Sequence, residues 1–387
     1  MPPFLLRGAF VSTRINVSGR VKIRVRKMSN QQIPIGDSLV EVTRGAITES
    51  RHRGHIVVIE PDGHIVGYAG APETVTFLRS AAKPFQAVPL LTSGAAERFS
   101  FTDQEVAIAC ASHNGEPIHT ELVASILSKI GMGAEALKCG IHEPYSVEVA
   151  GKLRLLGQAP NVLQNNCSGK HAGMLALALH LGASTEDYNA ADNPVQLAIA
   201  EAVSQFSGVA VTDMAVAIDG CAVPVFGITM KAMALASARL VSPPAAFDKK
   251  IRDACARIVR VMSAYPDLIG GTSDRLDTQL MRAAPGRLIS KVGAEGVYIG
   301  GILPCEEWPK GLGVALKIED GDDRRARPTV VIETLRQLGV LRDESLDAVS
   351  PYAFFPVKNR PGDVVGEVRA AFTLRKPGEE RSRRNDS

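Results

Sequence analysis

The sequence has little of several features that would place it in a specialised class of protein. It contains one Trp, and its six cysteines are scattered without paired spacing, which argues against a disulfide framework. No apolar run approaches the roughly 20 residues that a membrane-spanning helix needs. The Gly-rich stretches 270–271 and 293–301 lack the phosphate-binding pattern that follows a strand. We therefore expect neither a disulfide scaffold, nor a membrane protein, nor a nucleotide site.

The charge is nearly balanced, with a net value of +3 over 387 residues, which gives no support for nucleic-acid binding. Much of the positive excess lies in residues 1–36, which hold seven Lys or Arg and no acidic residue. This segment lacks the apolar region and cleavage site of a secretory signal, so we predict a cytoplasmic protein. Two interpretations of it stay open: a disordered basic extension over 1–36, or translation that starts at Met28.

The predicted elements place strands at both ends of the chain and helices in the middle. Helical patterns dominate from residue 80 to residue 207, whereas strand patterns occupy 39–69, 298–303, 312–319 and 364–371. This order predicts an α/β fold of the α+β kind, with an antiparallel sheet built from both termini and a helical insert. Serine β-lactamases and penicillin-binding proteins share that layout. We expect a single domain over 37–374 and a disordered tail over 375–387.

Three short motifs follow one another along the chain: Ser80-Ala81-Ala82-Lys83, Ser112-His113-Asn114 and Lys291-Val292-Gly293. They correspond to the SxxK, SxN and KxG motifs of serine–lysine acyl-transfer enzymes. If Ser80 opens a helix, Lys83 lies one turn later on the same face. A lysine that is desolvated there can lose its charge and accept the serine proton.

A lone SxxK motif has a simpler interpretation, because most serines at helix starts are caps. The context favours function. Pro61-Asp62-Gly63 is typical of a hairpin turn between two apolar runs, and residues 81–91 have the apolar spacing of a buried helix. Ser80 is therefore predicted at a strand-to-helix junction, where reactive serines are displayed.

A second polar cluster, Asn165-Asn166-Cys167-Ser168-Gly169-Lys170-His171, precedes another apolar helix, and Asp219-Gly220-Cys221 follows a predicted buried strand. One interpretation is structural, with Ser168 as a helix cap and the two cysteines in the core. The other is a zinc-like site in which Cys167, Cys221 and a neutral Lys or His are ligands supported by Asp219. The spacing fits no standard zinc pattern.

These segments together resemble the asparaginase II family, the Rhizobium-type L-asparaginases. The resemblance runs from about residue 39 to residue 371 and is strongest in the string from Asn165 to Gly173. It implies hydrolysis of L-asparagine to L-aspartate and ammonia, by a homodimer whose fold is similar to that of serine β-lactamases and glutaminases.

The resemblance also implies roles for individual residues. Ser80 with Lys83, and Ser112 with Lys291, would form two catalytic pairs. Cys167, Lys170 and Cys221 match the positions that bind zinc near the active site. Polar residues expected to bind substrate or support the site are Arg79, His113, Asn114, Asn166, His171, Asp219 and Asp277.

Two positions depart from the family pattern. Asp277 stands where some members carry Cys, and Asn193 stands where His is expected. Asp277 is expected to alter substrate affinity or metal occupancy, whereas the four Ser and Lys positions are intact.

The leading hypothesis is an amidohydrolase that acts on L-asparagine. Three alternatives remain: a glutaminase or other small-amide hydrolase, a penicillin-binding or β-lactamase enzyme, and a non-catalytic metal-binding homologue. The first differs from an asparaginase by one methylene in the substrate, which pocket size separates by only about 1–3 kcal/mol. The second is disfavoured because no export signal is recognisable.

Overall fold

The structure is a computed structural model and describes residues 11–15, 21–25 and 34–379. The strands in this part of the chain are β1 (Val11–Ile15), β2 (Val21–Val25), β3 (Asp37–Arg44), β4 (Ile47–Ile59), β5 (Ile65–Ala69), β6 (Val75–Phe77), β7 (Ala215–Ile218), β8 (Pro224–Thr229), β9 (Leu288–Val292), β10 (Val297–Ile302), β11 (Leu312–Ile318), β12 (Phe355–Lys358) and β13 (Val364–Ala370).

The α-helices in the same residues are α1 (Lys83–Thr92), α2 (Ala95–Arg98), α3 (Asp103–Ala109), α4 (Pro117–Lys129), α5 (Val147–Leu155), α6 (Ser168–Leu181), α7 (Pro194–Ser207), α8 (Met230–Val241), α9 (Lys249–Ala264), α10 (Pro266–Ile269), α11 (Leu276–Ala283), α12 (Ala326–Gln337) and α13 (Asp343–Val349). Short 3₁₀ turns connect several of them, including the turn Arg79–Ala82 before α1.

The main sheet is antiparallel and joins strands from the two ends of the chain. Its order is β12-β13-β3-β4-β11-β10-β9, with β5 paired to β4. A second antiparallel sheet has the order β2-β1-β7-β8-β6. The predicted fold class, an antiparallel sheet from both termini with helices between them, is confirmed.

Both faces of the main sheet are buried, and β4 shows why. Its successive side chains point to opposite faces, as the two-residue period of a strand requires. Ile56 and Val58 belong to the core that includes α12, while Val57 and Ile59 belong to the larger core that includes α1, α6 and α7. The turn after β4 contains Gly63 with φ of +96°, so the predicted Pro61-Asp62-Gly63 hairpin is confirmed.

Tight packing between helix and sheet explains one helix that periodicity did not predict. Helix α8 lies so close to β11 that a Cβ on Gly313 would be 1.9 Å from the carbonyl oxygen of Ala234. Small side chains, which carry a weak periodic signal, make this approach possible. The chain therefore buries α8 across a broad surface rather than along a narrow stripe.

The terminal segments are partly described. Strands β1 and β2 form a hairpin within the segment predicted as a disordered extension, and the rest of residues 1–33 lies outside the described residues. Arg375, the first residue of the predicted tail, pairs with Tyr68 and forms an ion pair with Asp37, while residues 380–387 lie outside the described part. The domain limits stay a prediction. Among the described residues, no helix combines the length and apolarity that crossing a membrane requires.

Candidate active site

The three predicted motifs meet at one cleft. Ser80 lies in the turn Arg79–Ala82 between β6 and α1, Ser112 follows α3, and Lys291 lies on β9. A Cβ on Gly293 would lie 2.9 Å from the carbonyl oxygen of Leu78, so the end of β9 packs directly against the Ser80 turn. This close approach gives a physical reason for the glycine of the KxG motif.

The cleft has a volume of about 670 Å³ and is open to solvent. Predicted site residues that line it are Ser80, Ser112, Asn114 and Asn166. Its other walls come from the start of α5, the segment before α11, the end of β9 and the start of α12. The size and polarity suit a small polar substrate.

The backbone is strained immediately before Ser80. Arg79 has φ of +49°, in the left-handed region that a non-glycine residue rarely adopts. The side chain of Arg79 compensates by donating from Nε to Asp219 Oδ1 over 2.7 Å. The predicted helix start is displaced by three residues, since α1 begins at Lys83 and Ser80 lies in the preceding turn.

Lys83 is fully buried and its ammonium group has three acceptors. Nζ donates to Ser112 Oγ over 2.9 Å, to the Ala111 carbonyl over 2.5 Å and to the Asn166 carbonyl over 3.0 Å. Burial lowers the pKa of Lys83, and the nearby Lys170 charge lowers it further although Cys167 opposes this. Within the described residues no hydrogen bond joins the side chains of Lys83 and Ser80, although the Lys83 N–H donates to the Ser80 carbonyl, so the lysine side chain is bonded to the second serine of the predicted set.

Lys291 is equally buried and is paired with Asp277. Its Nζ lies 3.4 Å from Asp277 Oδ2 and donates to the carbonyl of Val292 over 3.0 Å. Burial lowers the pKa of Lys291 to about 8, even though the Asp277 charge raises it. The predicted bond between Lys291 and Ser112 is not present in the described structure.

Asp277 is held rigidly beneath the cleft. Its carboxylate accepts hydrogen bonds from Ser290 Oγ over 2.8 Å and from the Val292 N–H over 3.0 and 3.1 Å. Its charged partner is Lys291, and no hydrogen bond joins it to Cys167 or Cys221 in the described structure. The departure from the family pattern at this position therefore affects the second lysine directly.

The residues that follow Ser112 build a polar network. Asn114 Nδ2 donates to the Ser273 carbonyl, and its Oδ1 accepts from Arg275 Nη1 over 2.8 Å. His113 is fully buried and contacts Ser168 Oγ through Nε2 over 3.0 Å. Since burial lowers the pKa of His113 well below its usual value, this imidazole is neutral. His113 therefore supports the loop from behind the cleft.

The two cysteines meet beside Lys83. Lys170 Nζ lies 2.9 Å from Cys221 Sγ, and Cys221 Sγ lies 3.8 Å from Asp219 Oδ2. The hydrogen bond from Cys221 lowers the pKa of Cys167 well below its usual value, with the Lys83 and Lys170 charges acting in the same direction. The two lysines therefore place the cysteine pair in a cationic environment that favours a thiolate.

The chemistry of this cluster fits a soft metal ion. Two thiols and an amine, all buried, are donors that suit zinc, with Asp219 adjacent to them. No group of three His, Cys, Asp or Glu side chains in the described part of the chain is arranged to hold a metal. Lys170 would thus have to be the third donor. The thiols raise the pKa of Lys170 against the effect of burial, so a metal would have to displace its proton.

The structure places the remaining predicted residues outside the cleft or at its wall. His171 is fully buried on α6 with Nδ1 2.7 Å from the Tyr188 hydroxyl. Asn166 donates its N–H to His142 Nε2, which fixes the backbone that accepts from Lys83. Asn193 caps α7 by accepting from the Val195 N–H. Ser168 Oγ donates to the Leu163 carbonyl, so it is not the predicted helix cap.

Arg275 and Tyr145 are among the residues that line the cleft and that sequence reasoning missed. Arg275 begins the turn into α11, and its guanidinium carbon lies 5.8 Å from the centre of the Tyr145 ring. Both line the same cleft as Ser80. The sequence signal for Arg275 was its position two residues before Asp277. A cation so close to a predicted site residue is itself a candidate for binding substrate.

Solved structures with a distant likeness to this chain are glutaminases. One is described as a probable glutaminase from Bacillus subtilis complexed with 6-diazo-5-oxo-L-norleucine, with 13% identity, TM-score 0.38, and coverage of 74% of this chain and 84% of that chain. Another is a Bacillus glutaminase in the presence of 4.3 M NaCl, with 14% identity, TM-score 0.35, and coverage of 74% and 91%.

Sequence comparison is more specific. No curated protein matches the chain. The profile of the L-asparaginase II family matches residues 40–370, which is most of the chain and contains every catalytic and metal-binding position predicted above. The chain therefore belongs to the L-asparaginase II family of amide hydrolases.

Proposed function

We propose that the protein hydrolyses the side-chain amide of L-asparagine to give L-aspartate and ammonia, with Ser80 as the nucleophile. The observation that carries the proposal is the environment of Lys83. This lysine is buried, has a lowered pKa and bonds to Ser112, while Ser112 and Ser80 line one cleft. A lysine that can exist as a neutral amine beside two serines supports nucleophilic catalysis.

The proton path follows from these contacts. Lys83 Nζ takes the proton from Ser80 Oγ as this oxygen attacks the amide carbon of the substrate. Ser112 Oγ, which already accepts from Lys83, gives its proton to the departing ammonia and is reprotonated by Lys83. The C–N bond breaks to leave an ester on Ser80, and water then releases aspartate. Lys291, protonated near neutral pH, supplies positive charge and a proton reserve behind Ser112.

Backbone N–H groups stabilise the oxyanion of the tetrahedral intermediate in this proposal. The Ser80 N–H is one donor. Ala294, which lines the cleft after the KxG motif, is the second, since its N–H has no hydrogen-bond partner among the described residues. Two such donors contribute several kcal/mol to acyl transfer.

Zinc, if it binds, would be held by Cys167, Lys170 and Cys221. A zinc ion there supplies a positive charge that positions a polar substrate group. Arg79 and Asp219 connect this cluster to the Ser80 turn through the 2.7 Å contact between them. A homodimer is implied by the family resemblance and a cytoplasmic location is predicted by the sequence, and both belong to the proposal on those grounds alone.

The test is ammonia release from asparagine and from glutamine by the wild type and by Ser80→Ala. We expect the variant to lose at least about 10³-fold in kcat/KM while unfolding at the same temperature as the wild type. Ser93→Ala, at the other end of α1, is the matched control and should remain active. Substantial residual activity in Ser80→Ala would show that Ser80 is not the nucleophile. A preference for glutamine would contradict the proposed substrate but not the proposed mechanism.

A further inference from the structure

Arg275 is a half-buried cation in the cleft that forms no ion pair with any described residue. The three arginines that line the cleft are Arg275, Arg324 and Arg327. Arg327 is paired with Asp323 and donates to the Gly293 carbonyl, and Arg324 is exposed at the rim. Arg275 is half-buried and forms no ion pair within the described residues.

The guanidinium of Arg275 is fixed in position by neutral groups. Nη1 donates to Asn114 Oδ1 over 2.8 Å, and the ring of Tyr145 lies 5.8 Å from the guanidinium carbon. Asn114 is itself held by the Ser273 carbonyl and by Glu116. The cation is thus attached to the loop that carries Ser112, two residues earlier in the chain.

Within the part of the chain that the structure describes, most of the hydrogen-bond donors of Arg275 have no acceptor. A guanidinium group has five N–H donors, and Asn114 takes one of them. None of its nitrogen atoms is both buried and without a partner, so the free donors are open to the cleft. Two acidic side chains lie close to Arg275 along the chain. Asp274 is exposed and forms no ion pair with Arg275 in the described structure, and Asp277 is occupied by Ser290, Lys291 and the Val292 N–H.

We propose that Arg275 binds the α-carboxylate of the amino-acid substrate and so fixes the distance between that group and Ser80. The inference rests on the proposed function, since it assigns the second end of the same substrate. A planar guanidinium with adjacent free donors matches a carboxylate in two parallel hydrogen bonds. Because Arg275 holds the carboxylate and Ser80 attacks the amide, the distance between the two sites selects one side-chain length. This distance therefore discriminates between asparagine and glutamine. Arg275 is therefore a specificity-determining residue.

The experiment compares asparagine with 3-aminopropanamide, which has the same amide arm but lacks the α-carboxylate. In the wild type, kcat/KM for asparagine should exceed that for 3-aminopropanamide by at least about 100-fold. Arg275→Gln should raise KM for asparagine by about 10- to 100-fold and leave the rate with 3-aminopropanamide within a few-fold of the wild type. Arg275→Lys should recover part of the loss. Arg282→Gln on the same helix, α11, whose partner is Asp267, is the control.

A structural role for Arg275 predicts a different result. If Arg275 only supports Asn114, Arg275→Gln will lower the rates with both substrates by the same factor, and that outcome overturns the proposal. Calorimetric titration with L-aspartate gives a readout that does not depend on turnover. Binding by the wild type that weakens at least about 10-fold in Arg275→Gln supports the carboxylate site even if Ser80 proves not to be the nucleophile. Equal binding by both proteins contradicts it.

Discussion

The substitution Asp277→Asn tests whether the second lysine takes part in proton transfer. It removes one negative charge and keeps the size of the side chain. In the structure Lys291 Nζ lies 3.4 Å from the Asp277 carboxylate, and both groups are buried. At an effective dielectric constant of about 20, two unit charges at that distance attract by about 5 kcal/mol. The charge of Lys291 depends on this attraction, because burial and the charges of Lys83 and Arg275 all oppose it.

The direction of the effect follows from that balance. Burial places the pKa of Lys291 at about 8 with Asp277 present. Without the carboxylate the ammonium is favoured less, so Lys291 loses its proton at lower pH. Asn retains an oxygen that can accept from the Val292 N–H, and the full 5 kcal/mol will therefore not be lost. Because about 1.4 kcal/mol corresponds to one pKa unit, we expect the alkaline limb of the kcat profile to move at least about one pH unit lower.

The assay is ammonia release from asparagine between pH 5 and pH 10 for the wild type and Asp277→Asn. Ser290→Ala is the matched control, since it removes one hydrogen bond to Asp277 but leaves its charge, and its alkaline limb should stay in place. An unchanged alkaline limb in a folded Asp277→Asn variant would refute a role for protonated Lys291. Movement of the acidic limb instead would show that Lys291 works as a base.

Two further predictions concern the core and the cysteine cluster. Tyr188→Phe should lower the free energy of unfolding, measured in urea, by about 2 kcal/mol. The reason is that the buried Tyr188 hydroxyl accepts from the Lys138 N–H and lies 2.7 Å from His171 Nδ1. A loss below about 0.5 kcal/mol would mean that water replaces the hydroxyl. Cys221→Ser should lower the zinc content of the purified protein, measured by plasma mass spectrometry, from near one per chain to well below that value; equal zinc in both proteins would exclude Cys221 as a ligand.

Local sequence signals predicted most of the fold. The three strands between residues 37 and 69 follow from alternating apolar runs around a Pro-Asp-Gly turn, and the helices α3, α4, α6 and α7 follow from apolar periodicity with recognisable starts. Helices α8 and α11 were missed. Which face of each helix is buried depends on the side chains of the sheet that pack against it. A local sequence pattern does not contain that information.

The sequence predicted which residues form the site better than it predicted which of them bond to one another. The motifs identified Ser80, Lys83, Ser112 and Lys291, and the structure brings all four to one region. Sequence spacing paired Lys83 with Ser80 because the two are three residues apart, whereas the structure bonds Lys83 to Ser112. Ser80 lies in a 3₁₀ turn ahead of the helix, and Lys83 Nζ is occupied by Ser112 Oγ and the carbonyls of Ala111 and Asn166, which local spacing could not predict. Arg275 stands two residues before Asp277 in the sequence, but only the fold shows that it lines the same cleft as Ser80.

The pairing of β13 with β3 has a consequence for how the protein is made. Thr43 Oγ1 accepts from the Glu367 N–H across 324 residues of chain, so two strands of the main sheet meet only after nearly all of the domain has been synthesised. Such contacts give a high contact order, and folding slows as long loops must close before they are stabilised. While the ribosome is still translating, β3 remains an unpaired edge that other chains can bind. Truncation before residue 364 would leave that edge permanently open, and we expect the shortened protein to aggregate rather than fold.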